Sequence, residues 1–158
     1  MRGLQSDTTE RIAENLFAAA AAATVRTNGS MPVVLVVDDD EDNRLMLKLL
    51  LETWSYSVVA AANGIEAVGV AESKRPDLIL MDVKLPRLDG FAATHRIRRS
   101  PLVGGVPVIF LSGCAEAKYR NAARAVGGNE YLTKPVDFEK LRSALARYVC
   151  RRKNPSAK

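Results

Sequence analysis

With 158 residues, 47% of them hydrophobic and 26% charged, the chain can bury one core and still carry a short arm, and its composition excludes disordered and collagen-like classes. The formal charge of +5 does not mark a nucleic-acid-binding fold, because it is unevenly placed. Residues 31–150 carry 16 Lys/Arg against 15 Asp/Glu, residues 1–30 three of each, and residues 151–158 four basic residues without an acid, so the excess is a short basic tail read as a solvated chain end.

No run of about 18 apolar residues exists, so no transmembrane helix is expected. The apolar stretch over 16–25 follows Asp7, Glu10 and Glu14, whereas a secretory leader begins with basic residues. Cys114 and Cys150 are too few for a disulfide framework or a zinc site, and a cytoplasmic protein with reduced thiols is expected.

Residues 1–30 read as an alanine-rich helix over 7–25 and a linker at 27–30. Asp7 with Glu10 starts the helix like a capping box. Ile12, Leu16 and Phe17 recur at helical spacing and are expected to pack on the main domain or to mediate self-association as a homodimer. The main domain spans 31–150. Its first strand, at 33–37, is a valine-rich run suited to burial on both faces. Leu45, Leu49 and Trp54 mark a helix over about 42–54. A strand at 58–61 and a helix at 64–73 follow, then a strand at 78–81 and a helix at 90–99, then a strand at 106–111 and a helix at 116–126. A short fifth strand begins at 130–132. Asp137 caps the last helix, which carries Leu141, Leu145 and Val149 on one stripe.

Five strands alternating with five helices predict an open, doubly wound parallel α/β sheet with helices on both faces. Ligands in such sheets bind beyond the carboxyl ends of the strands. Those ends carry Asp38-Asp39-Asp40, Asp82, Ser112-Gly113 and Lys134-Pro135. Clustered carboxylates repel one another unless a cation joins them, and a hard divalent ion such as Mg²⁺ takes oxygen ligands. A lysine ammonium and a serine hydroxyl beside Asp82 suit the oxygens of a phosphoryl group, so the set predicts phosphoryl transfer to a carboxylate. Asp40 or Asp42 alone would be an ordinary helix cap.

Here a specific resemblance enters. Val33-Val34-Leu35-Val36-Val37-Asp38-Asp39-Asp40 is similar to the opening strand and acid pair of response-regulator receiver domains. The run from Leu78 through Asp82 to Leu85-Pro86-Arg87-Leu88-Asp89-Gly90 resembles their phosphorylation-site strand and loop, and Val108-Ile109-Phe110-Leu111-Ser112-Gly113 and Tyr131-Leu132-Thr133-Lys134-Pro135 resemble the two remaining signatures. The resemblance implies a flavodoxin-like five-stranded sheet of order 2-1-3-4-5. It implies Asp82 as phosphoacceptor, and Asp38, Asp39, Asp82 and the backbone carbonyl of Lys84 as Mg²⁺ ligands, with Asp39 the more direct acid. Lys134 is implied to pair with the phosphoryl oxygens, next to a peptide bond that is cis in the family. Ser112 and Tyr131 are implied as the switch. Gly113 is smaller than the residue many members carry, which implies a more open site.

The implied partners are a histidine kinase or phosphotransfer protein and a downstream protein target, with no nucleic acid and no membrane. The readout surface is the fourth helix, fifth strand and fifth helix. Only eight residues follow Cys150, so a single-domain, chemotaxis-regulator-like phosphoacceptor is expected rather than a turnover enzyme. Two other functions compete. A phosphorylation-independent interaction module would not need every site residue in place. A phosphatase of the haloacid-dehalogenase type would need a late acid pair after a strand, which the sequence lacks. A dinucleotide site fails because no Gly-x-Gly-x-x-Gly turn follows the first strand. His95 and the run His95-Arg96-Ile97-Arg98-Arg99 read as a solvated helix face, Cys114 as a small filler, and Trp54 and Phe91 as packing residues.

Overall fold

The computed structural model describes residues 30–153, with side chains as far as Cys150. The expected N-terminal helix and most of the linker and basic tail lie outside the described residues. Strands β1 (Val33–Val37), β2 (Ser57–Ala61), β3 (Leu78–Asp82), β4 (Val108–Ser112) and β5 (Glu130–Thr133) alternate with helices α1 (Glu41–Thr53), α2 (Gly64–Lys74), α3 (Gly90–Arg99), α4 (Ala117–Ala125) and α5 (Phe138–Lys153). The strands form one parallel sheet, as their alternation with helices predicts, in the order β2-β1-β3-β4-β5 that the family resemblance implies. Among the described residues no helix is long and apolar enough to cross a membrane.

Side chains alternate between the two faces of a strand, and this sheet shows why its central strands are apolar throughout. Val34, Val36, Leu78, Leu80, Ile109 and Leu111 meet α1 and α5 on one face. Leu35, Val37, Ile79, Met81, Val108 and Phe110 meet α2, α3 and α4 on the other. Helix starts are capped by side chains: Asp40 accepts from Asn43 N–H, Asn63 from Glu66 N–H, and Asp89 from Ala92 N–H. Asp137 accepts from the N–H groups of Glu139 and Lys140 at the start of α5. Leu141, Leu145 and Val149 are buried as expected.

Three expectations need correction. The fourth strand begins at Val108, not at 106, because Pro107 has no N–H for the ladder and Val106 N–H donates to Val103 O in a turn. In α1 the buried residues are Leu47, Leu50 and Leu51, whereas Leu45 and Leu49 are exposed. The basic run in α3 is not a uniformly solvated face. Ile97 is buried, and the half-buried Arg98 guanidinium donates to the carbonyls of Gly104, Val106 and Gly127 and to Asn129 Oδ1.

Gly90 joins the fold to the site. It opens α3 directly beneath Asp82, and a Cβ there would lie 2.0 Å from the Asp82 carbonyl oxygen. That neighbour is strand backbone and cannot step aside. Gly90→Ala is therefore expected to cost about 1–3 kcal/mol, as overpacking does, read as a lower urea midpoint with an unchanged m-value.

Candidate functional site

The carboxyl ends of β1, β3, β4 and β5 open into one cleft of about 480 Å³ lined by Asp38, Asp39, Asp40, Asn43, Asp82, Lys84, Ser112, Gly113, Cys114 and Lys134. Parallel strands in register bring these residues together, since Asp82 pairs with Leu111 and Ser112 with Thr133. Every side chain that the sequence assigns to catalysis or metal binding lies on this cleft, and Tyr131 is joined to it through Cys114, one of the lining residues.

Lys134 is the hub. Its ammonium donates to Asp38 Oδ2 and to Asp82 Oδ2, each at 3.0 Å. Asp38 Oδ1 also accepts from Asp40 N–H at 2.9 Å, and the Asp38 backbone carbonyl oxygen accepts from the Arg44 guanidinium at 2.8 Å. Asp38 and Asp82 are only 3% and 9% exposed, whereas Asp39 is open to solvent. Burial pushes the Asp82 carboxyl above its usual range, and the Asp38 charge adds to that. The hydrogen bond and charge of Lys134 and the Lys84 N–H pull it back without cancelling the rise. Burial would lower the Lys134 pKa, but its bonds to Asp38 and Asp82 outweigh this and hold it above the ordinary lysine value. The two shifts are consistent, since Lys134 has two acids to itself while Asp82 shares one ammonium with a second acid.

Asp38, Asp39 and Asp82 each offer a carboxylate oxygen, and these oxygens lie within 4.8 Å of one another. An all-oxygen, acidic donor set at that spacing fits a hard divalent cation. Lys84 stands at the rim; its side chain is exposed and its backbone N–H faces Asp82.

Ser112, 1% exposed, accepts from Cys114 N–H at 3.2 Å through its hydroxyl oxygen. The Tyr131 hydroxyl donates to the Cys114 carbonyl. The Lys134-Pro135 peptide bond is cis. A Cβ at Gly113 would meet nothing within 4 Å, so the cleft is open at that point. Phe91 packs on Phe110, Trp54 lies in the core and His95 is exposed on α3, away from the cleft.

Sequence reasoning missed two residues. Arg44 holds the β1–α1 turn by its bond to Asp38 O, and the Arg120 guanidinium lies 5.2 Å from the centroid of the Tyr131 ring. Arg44 had a signal, for four residues after the Asp40 cap it begins the second turn, above the strand end. Arg120 had none, because its partner lies on another element.

The raised Asp82 pKa has a definite sign. A carboxyl that is harder to ionise folded than unfolded subtracts from stability once ionised, so stability falls as pH rises from the unfolded carboxylate value of about 3.9 through the raised folded value. Asp82→Asn removes that burden, so metal-free Asp82→Asn is expected to melt above the wild type at neutral pH and to lose the advantage toward pH 4. A variant that melts below the wild type at pH 7 would refute this.

Comparison with known proteins agrees with the geometry. The chain is 34% identical over 96 residues to the DNA-binding dual master transcriptional regulator RpaA of Synechocystis, and this match spans 61% of the chain but only 40% of that protein. It is 35% identical over 95 residues to protein PilH of Pseudomonas aeruginosa, covering 60% of the chain and 78% of that protein. Its fold superposes with a TM-score of 0.71 on the receiver domain of the Pseudomonas aeruginosa sensor histidine kinase PA1611, at 37% identity and covering 76% of this chain and 98% of that one. That domain was solved with a magnesium ion coordinated in its active site cleft. Residues 34–146 match the response regulator receiver domain family, and with most of its length matched the chain belongs to that family of two-component signalling modules.

Proposed function

We propose that Asp82 is the phosphoacceptor of a histidine-aspartate phosphorelay, charged by a histidine kinase or phosphotransfer protein in the cytoplasm. The observation that carries this is Lys134, whose ammonium bridges Asp38 and Asp82 at 3.0 Å on one cleft with Asp39. In the transfer an Asp82 carboxylate oxygen attacks phosphorus, the P–N bond to the donor imidazole breaks, and the released nitrogen takes up a proton. Water later hydrolyses the acyl phosphate and returns Asp82.

Asp39, Asp38, Asp82 and the Lys84 carbonyl would hold Mg²⁺, with Asp39 the more direct acid because it is open to solvent while Asp38 is buried and already bonded to Lys134 and the Asp40 amide. The magnesium in the related kinase receiver domain supports this choice of ion. When bound, the cation supplies neutralising charge for the phosphoryl oxygens. Lys134 fixes Asp82 ahead of transfer and then pairs with a phosphoryl oxygen.

The Ser112 hydroxyl would turn to the phosphoryl group, loosening its bond from Cys114 N–H. The Cys114 carbonyl holds the Tyr131 hydroxyl, so a shift of this loop would free the ring to turn inward. The readout would be α4, β5 and α5, with Tyr131 as its moving part, acting on a downstream protein.

Incubation with phosphoramidate or acetyl phosphate is expected to add one phosphoryl group to the intact mass when Mg²⁺ is present. EDTA and Asp82→Asn should each abolish the gain. Equal labelling of Asp82→Asn would place the acceptor elsewhere. Mg²⁺ is also expected to raise the wild-type melting temperature more than that of Asp39→Ala, and equal shifts would remove Asp39 from the ligand set.

A further inference from the structure

A helix that joins two parallel strands leaves the end of one and returns to the start of the next, so α2 and α3 both finish at the sheet edge opposite the Asp82 cleft. They start together, because a Cβ at Gly64, the first residue of α2, would run into the carbonyl group of Leu88, two residues before α3 begins. Their eleven and ten residues make about 16 and 15 Å of helix, so they also end together. Those ends carry Lys74 and Arg75 on α2 and Arg96 and Arg99 on α3, all four exposed. Among the described residues none of the four makes an ion pair.

A cation at the end of a helix complements the helix dipole, and one on each helix would need no further account. This cluster goes beyond that. Arg75 stands just past α2 in the left-handed conformation, at φ 47°, where glycine is favoured. Arg98 spends its donors on carbonyl oxygens and Asn129, while no hydrogen bond engages the Arg96 or Arg99 guanidinium among the described residues. Acids that could neutralise the group are scarce. Helix α3 and the loop over 100–107 contain none, and Asp77 accepts from Val33 N–H. The last turn of α2 adds one exposed acid, Glu72.

We infer that Lys74, Arg75, Arg96 and Arg99 form a docking site for an acidic segment of a partner protein. Arginine forks match carboxylates in geometry as well as charge. Packed helix axes lie about 8–10 Å apart, so the cluster spans a few carboxylates of one segment and not the long stripe of phosphates on a duplex. It holds no aromatic ring on which an unpaired base could stack. Leu102, three residues past Arg99, is 50% exposed and offers one apolar contact. That suits a segment with a single apolar side chain and is too little to enter a membrane. A partner held at this edge leaves the Asp82 cleft open to a phosphodonor. The docking is independent of phosphoryl transfer, since it depends on charges at the other edge of the sheet.

The test is a titration of the isotope-labelled full chain with a short Glu/Leu peptide, read by amide NMR shifts and by the anisotropy of the fluorescein-labelled peptide. Amides over 74–75 and 95–102 are expected to shift. Shifts confined to other residues, the basic tail included, would overturn the inference. Charge reversal in Arg96→Glu/Arg99→Glu is expected to weaken binding about tenfold. Lys118→Glu/Lys140→Glu makes the same change of net charge on exposed cations of α4 and α5 and should leave binding nearly intact. Equal losses in the two variants would reduce the binding to net charge and overturn the site. Arg75→Gly is expected to bind more weakly without melting lower, and undiminished binding by that variant would overturn the site as drawn. Phosphatidylserine vesicles or a DNA duplex that bind these residues more tightly than the peptide would replace the acidic segment as occupant and overturn it equally.

Discussion

Three carboxylates on adjacent strand ends repel one another, and the site is organised around that repulsion. The ammonium of Lys134 reaches two of them, Asp38 and Asp82, across 96 and 52 residues of sequence. Only a parallel sheet of this strand order brings those ends side by side, with β1 and β3 adjacent and β5 one strand beyond β4. The acidic residues contribute little to folding, so the stability that tolerates them comes from the two apolar layers on either side of the sheet. The glycine beneath Asp82 and the hydrogen bonds of Asp38 belong to the same constraint. They hold the charged groups where separate solvation would otherwise pull them apart.

Asp38 and Asp82 accordingly differ in kind although both are buried acids. Each carboxylate accepts from Lys134 and from one backbone amide, that of Asp40 for Asp38 and that of Lys84 for Asp82, and Asp38 is the more deeply buried of the two. Asp82 keeps unused lone pairs on an open cleft and a pKa held up by burial. Burial raises the cost of ionising Asp82, the group proposed to react, so stability and the proposed reactivity are in tension at that residue.

The strand and helix alternation and the site were legible in the sequence for a shared reason. Continuous apolar runs such as Val34–Val37 and Leu78–Met81 end abruptly in acids, and a parallel sheet places such endings on one edge. What stayed hidden depended on partners remote in sequence. Arg98 reads as one more charge in a basic run, yet its guanidinium serves backbone carbonyls around residues 104–106 and 127, a role only the folded loops create. The burial of α1 was misjudged because the helix has apolar residues on two sides, and spacing alone does not say which side meets the sheet. Element ends moved by a residue or two wherever a side-chain cap or a proline set the limit, as at Pro107.

Charge counting at the cleft closes the physical case. With Asp82 ionised, the three carboxylates and the single ammonium of Lys134 leave two uncompensated negative charges at the strand ends. Arg44 does not remove them, because its guanidinium is directed at a carbonyl oxygen and not at a carboxylate. One lysine is therefore enough to hold the cluster together and too little to neutralise it: burial, with the Asp38 charge added, keeps Asp82 harder to ionise than a free carboxyl, while its two acids keep Lys134 harder to deprotonate than a free amine. A single divalent cation carries the missing charge. An incoming phosphoryl group is itself anionic and would meet strong repulsion in the bare cleft, so on the proposed phosphoacceptor reading the cation would relieve the same imbalance.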